Sequence, residues 1–60
     1  MLERFEVYRD NVGGYRWRLK SNNGEVVARS EESYATKASC LHAIDLVKRI
    51  AASALVSDLA

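Results

Sequence analysis

Cys40 and His42 are the residues of this chain best suited to nucleophilic or metal chemistry. A thiol nucleophile needs a base within hydrogen-bond reach. On a helix, side chains two positions apart diverge by about 200°, so Cys40 and His42 cannot serve each other within one chain. Cys40 recurs with apolar residues at three- and four-residue spacing and reads as a small buried hydrophobe. His42 reads as a solvated helix residue, with Asp45 three positions on as a partner. A metal site would need two or three more ligands than these two residues supply. Glu31-Glu32 is a carboxylate pair, but adjacent side chains diverge, whereas an acid and a base must converge. Gly13-Gly14 lacks the Lys-Ser or Lys-Thr and the following helix of a phosphate loop. These patterns imply no catalytic residue, no metal and no cofactor, and therefore no enzyme. An enzymatic alternative would need a site assembled from two chains at a dimer interface.

A different constellation lies on a strand. Tyr15-Arg16-Trp17-Arg18-Leu19-Lys20 alternates without a fault, which puts Tyr15, Trp17 and Leu19 on one face and Arg16, Arg18 and Lys20 on the other. Arg29 joins the basic face from the next strand and Tyr8 from the preceding one. Basic groups neutralise phosphates and a tyrosine can stack a base, so this face is a candidate nucleic-acid surface. The bland reading is a solvated sheet face of alternating charges. If Val7 pairs with Trp17, Glu6 stands opposite Arg18, and Arg16 lies over Tyr8 as a cation–π pair. Net charge does not decide the matter, because it is only +1. That value hides an uneven split: residues 1–30 carry six basic and four acidic side chains, residues 31–60 three and four.

The elements that position these residues follow from period and punctuation. Phe5-Glu6-Val7-Tyr8 alternates, so strands are expected over about 4–9, 15–21 and 25–30. Asp10-Asn11-Val12-Gly13-Gly14 and Asn22-Asn23-Gly24 are the turns between them. The second turn leaves the register open. A two-residue Asn23-Gly24 turn sets Leu19 opposite Ala28, and a three-residue bulged loop sets it opposite Val27. From Lys37 to about Ala52 the period changes to that of a helix, with Thr36 as N-cap. Its stripe is Cys40, Leu41, Ile44, Val47, Ile50 and Ala51. Asp45 and Arg49 stand four apart in the favourable order. The tail, with Leu55, Val56 and Leu59, is too apolar for a solvated end; it either extends the helix or forms a short strand over about 54–59. The stripe needs a face to cover, and Phe5, Val7, Trp17 and Leu19 supply it. The result is a two-layer α+β domain, an antiparallel sheet packed on one helix.

Sixty residues make one domain with a small core, and scaffolds of this size commonly need a staple. One cysteine cannot form an internal disulfide and no zinc set exists, which leaves a second copy: a homodimer is expected. No apolar run approaches the roughly 20 residues of a membrane span, and the charged N-terminus is unlike a signal peptide. The expected site of action is the cytoplasm, away from membranes.

The Phe5-Glu6-Val7-Tyr8 strand, the Tyr-Arg-Trp-Arg-Leu-Lys strand, Asn23-Gly24-Glu25, Tyr34 and Lys37-Ala38-Ser39 together resemble the YegP-like family of small, uncharacterised, mostly bacterial proteins. The resemblance runs from about Phe5 to Arg49. The chain departs from the pattern at Ser33, where a glycine commonly precedes the tyrosine. The resemblance implies a β-β-β-α-β unit that pairs, as tandem repeats or as two subunits, into a single sheet with exchanged C-terminal strands. A one-unit chain would be the homodimeric form, with Leu55, Val56 and Leu59 in the exchanged strand. No biochemical activity is implied. The expected function is a binding or regulatory module acting through protein–protein contacts, with nucleic-acid binding through Tyr8, Arg16, Arg18, Lys20 and Arg29 as the alternative.

Overall fold

A computed structural model describes residues 2–60. Three antiparallel strands, β1 (Arg4–Arg9), β2 (Tyr15–Lys20) and β3 (Val26–Arg29), form one sheet in sequence order. Helix α1 (Lys37–Ile50) covers one face. Elements and bounds lie within two residues of the sequence expectation, apart from the tail.

In the first hairpin Phe5 faces Leu19, Val7 faces Trp17 and Glu6 faces Arg18. The Asp10 N–H donates to Gly14 O at 3.0 Å and Gly13 takes φ +84°, closing a loop of three residues. The second hairpin closes the same way, with Ser21 N–H on Glu25 O at 2.8 Å and Gly24 at φ +90°. Its register combines the two readings left open by the sequence. The loop is the three-residue form, which pairs Lys20 with Val26, yet Leu19 faces Ala28. A bulge between these pairs absorbs the extra residue, Val27, which stands exposed. Beyond Arg29, Ser30 is buried and stays bonded to Trp17. Its N–H donates to Trp17 O at 2.9 Å, and its hydroxyl accepts the Trp17 N–H at 3.1 Å. The chain then turns, and Tyr34 exchanges two 2.8 Å backbone bonds with Tyr15 before the helix begins.

Thr36 caps α1, accepting the Ser39 N–H at 3.1 Å, and Lys48 and Arg49 lie at the negative pole of its dipole. Trp17, Cys40 and Ile44 are the buried core, flanked by Phe5, Val7, Tyr15, Leu19, Tyr34, Ala43 and Val47. Phe5 meets Trp17 edge-on, with ring centroids 5.5 Å apart. Cys40 is fully buried, as its place on the stripe predicts, and burial pushes its thiol pKa up.

Two expectations need correction. The stripe is narrower than the periodicity implies: Leu41 and Ile50 are half-exposed and Ala51 is exposed. The sheet is three strands wide, and α1 packs mainly on β1 and β2, so the outer rows of the helix overhang the sheet. The tail neither extends α1, which ends at Ile50, nor pairs as a strand within its own chain. After a last turn, in which the N–H groups of Ser53 and Ala54 donate to Ile50 O, it runs out with Leu55, Val56 and Leu59 92–96% exposed.

Candidate functional site

The register assembles the basic face that the alternation predicts. Arg4, Glu6 and Tyr8 of β1, Arg16, Arg18 and Lys20 of β2 and Arg29 of β3 lie side by side, opposite the helix-covered face. Most of its cations have partners. Arg18 Nε donates to Glu6 Oε1 at 2.8 Å, Arg4 Nε to Glu6 Oε2 at 2.9 Å, and Lys20 Nζ lies 3.5 Å from Glu6 Oε1. Arg18 first, then Arg4, and more weakly Lys20 pull the Glu6 pKa down to about 2. Glu6 opposite Arg18 is the pairing expected from the sequence. The cation–π pair is not: Arg18, rather than Arg16, lies 4.7 Å above the Tyr8 ring. Arg16 is drawn off to the loop, where its Nε donates to Asp10 Oδ2 at 2.9 Å and its Nη1 to Glu31 O at 3.1 Å. Arg29 stands across from Arg18 and is exposed.

Asp10, which sequence reasoning passed over as a turn residue, organises this corner. Its Oδ1 accepts the N–H groups of Val12 at 3.1 Å and Gly14 at 2.8 Å, and its Oδ2 accepts Arg16 and, at 2.5 Å, the Ser33 hydroxyl. These donors, Ser33 first and Arg16 second, hold its carboxyl well below the usual carboxylate range. An Asp four residues before a glycine-rich turn ends is the local signal that could have found it. Ser33, the departure from the family pattern, is therefore the hydroxyl that ties this loop to the segment before α1.

On the covered side, the free edge of β1 and the overhanging helix leave an open groove. One part, about 560 Å³, is lined by Val7, Tyr8, Arg9, Tyr15, Lys37 and Leu41. The next, about 470 Å³, is lined by Phe5, Val7, Leu19, Leu41 and Ile44, with Glu3, Arg4 and Lys48 at its rim. Arg9 lies across the Tyr15 ring at 4.7 Å and donates to Gly13 O at 2.9 Å. This groove, like Asp10, was not foreseen, because it exists only where the stripe outreaches the sheet.

The remaining candidates do not converge. Cys40 is in the core, His42 is exposed on α1, and Asp45 takes Arg49 at 3.1 Å. Glu31 and Glu32 are exposed in the loop before the helix. Among the described residues no three His, Cys, Asp or Glu side chains gather as a metal site would require, and no helix is long and apolar enough to cross a membrane.

Comparison with known proteins agrees with this architecture. Residues 10–58 match the family model "Domain of unknown function (DUF1508)". A UPF0339 protein of Neisseria meningitidis is 46% identical over 54 residues, which make up 90% of this chain and 95% of that one. The solution structure of a Haloferax volcanii protein superposes with a TM-score of 0.87 at 43% identity, covering 93% of both chains. A UPF0339 protein of Stutzerimonas stutzeri is 45% identical over 45 residues, 75% of this chain but only 40% of that longer protein. The family match, the homologues and the shared three-strand, one-helix fold bear out the YegP-like resemblance, and the chain belongs to the DUF1508 family.

Proposed function

We propose that this protein is a non-enzymatic, cytoplasmic binding module that works as a homodimer through protein–protein contacts. In this reading the tail of each copy adds as a strand to the other copy's sheet. One observation carries the reading: three large apolar side chains, Leu55, Val56 and Leu59, stand more than nine-tenths exposed in a chain whose sheet has an open edge and an apolar groove. A solvated tail has no use for such residues, and an open edge invites a strand. Half-exposed Leu41, at the centre of the groove, is the contact such a strand would cover. The Stutzerimonas relative adds support, since a chain with 60% of its length beyond the match has room for a second unit.

Sedimentation of the full chain across concentrations tests this. Twice the chain mass is expected at micromolar protein. Replacing Leu55 and Leu59 together by Asp removes the burial of two leucines, worth roughly 1.5–3 kcal/mol each, and should weaken association by about a hundredfold or more. The variant's circular dichroism should still report the folded unit. A monomer at every concentration sinks the proposal.

The nucleic-acid reading keeps one specific support: Arg4, Arg18 and Lys20 share a single carboxylate, so the outer face carries excess positive charge. Against it, the Arg18 guanidinium covers a face of Tyr8 that a base would stack on. Anisotropy of labelled RNA and DNA across a salt series separates the two. Binding that falls steeply with salt would make the outer face the functional one, and no binding at low salt would end that reading.

A further inference from the structure

We infer that Asp58 of a second copy supplies the second counter-charge of the cation cluster around Glu6, and that this contact sets the register in which the tail adds to β1. The inference rests on the tail-docking reading above and goes beyond it by assigning partner residues.

Ladder parity carries the first step. The Asp10 N–H bonds Gly14 O, and hydrogen-bonded pairs alternate along an antiparallel ladder. Arg4, Glu6 and Tyr8 therefore turn their backbone groups toward β2, and Phe5, Val7 and Arg9 turn theirs to the free edge. Directly opposed residues share a face, so a strand that bonds Phe5 and Val7 from outside sets every second side chain on the helix side. Leu55 and Leu59 are four apart and share that parity; Val56 and Asp58 have the other.

Hydrophobicity and charge then choose the same seating. With the leucines toward Phe5, Val7 and Leu41, Asp58 emerges with Val56 on the outer face at the β1 edge. There Arg4, on the edge strand itself, shares Glu6 with Arg18 and Lys20, three cations to one carboxylate. The reverse seating would lay two leucines on a charged face and press a carboxylate against Phe5 and Leu41, which is unfavourable on both counts. Among the described residues of the single chain, Asp58 only accepts the Ala60 N–H at 3.0 Å, a local contact that a docked strand can exchange.

A charge-swap cycle on the full chain, read as the dimer dissociation constant by sedimentation, tests the assignment. Asp58→Arg and Arg4→Glu should each weaken the dimer by about tenfold, and the double variant should recover most of the loss. Asp58→Asn, which lies outside the folded core, should weaken it less and flatten its salt dependence. A dimer indifferent to Asp58→Arg, or a double variant no tighter than either single, overturns the inference and leaves the dimer standing. An unmodified chain that stays monomeric overturns both. Should Arg4→Glu disturb folding, Arg4→Gln paired with Asp58→Asn gives the same cycle: losses that add independently overturn the contact, and losses that do not add support it.

Discussion

The two hairpin loops share one backbone design and differ in what holds them. Each spans three residues, closes on an N–H donated to a carbonyl four positions on, and places a glycine at positive φ. In the first, Asp10 gathers two loop N–H groups, the Arg16 guanidinium and the Ser33 hydroxyl, and so joins loop, strand and helix lead-in. In the second, Asn23 bonds, among the described residues, only Ser21 and Glu25, its own neighbours. Past that loop β3 is exposed throughout and bulged. The same turn pattern thus closes a corner tied to distant residues in one place and a loop held by its own neighbours, before an exposed strand, in the other. Long-range ties, not turn type, distinguish the two ends of this small sheet.

The largest blow to the tied loop is expected from Gly14→Ala. The new Cβ would lie 1.8 Å from Ser33 Oγ and 3.2 Å from its Cβ, so the Ser33 hydroxyl must leave Asp10 or the helix lead-in must move off the loop. A loss of about 3 kcal/mol is expected in urea melts. Adding Ser33→Gly should return much of it; a Gly14→Ala protein as stable as the parent would show that the corner is not tight. Asp10→Ala should lower Tm less than Gly14→Ala but more than any change in the second loop, because it frees four donors at once. At the second loop, Gly24→Ala meets no atom within 4 Å, and only the positive φ opposes it. It should cost about 1–2 kcal/mol by thermal melting. Asn23→Ala is the mildest change, expected at about 0.5 kcal/mol. If it costs as much as Asp10→Ala, the contrast between the loops is broken.

Acid sharpens the same contrast. Glu6 has its pKa lowered from 4.5 to about 2, and Asp10 is held lower than usual as well. A carboxylate depressed on folding stabilises fully above its unfolded value and loses that contribution as pH falls through the folded one. Stability should therefore decline from about pH 4.5 toward pH 2, and Glu6→Gln should flatten part of the slope. Amide exchange adds the local test. The Gly14 N–H, bonded to the Asp10 carboxylate, should lose protection in acid, while the Glu25 N–H, bonded to the Asn23 amide, should not.

Much of the fold was legible in the residues. Faultless alternation from Tyr15 to Lys20 marks β2 and its two faces, and the glycines mark both turns. Thr36 and the spacing from Cys40 to Val47 mark the helix. The basic face was legible for the same reason, since strand parity alone puts Arg16, Arg18 and Lys20 together. Its partners were legible only in part. Glu6 opposite Arg18 follows from pairing Val7 with Trp17, whereas Asp10 with Ser33 joins residues 23 apart in sequence, and no periodicity relates them. Arg18 rather than Arg16 lies over Tyr8 because Arg16 is paired with Asp10 in that same corner.

Local pattern alone sets the strands, the turns, the capped helix and the parity of the side chains on β1 and β2, because each depends on neighbours within one or two turns or pleats. Long-range packing sets the bulge at Val27, the closing of the Asp10 corner on Ser33 and how far the helix stripe overhangs the sheet. It also leaves the tail without a place within its own chain. These depend on sheet width and on distances between segments far apart in the chain, which local pattern does not encode. A three-stranded sheet is narrower than the apolar face built to cover it, and the groove along β1 is the consequence.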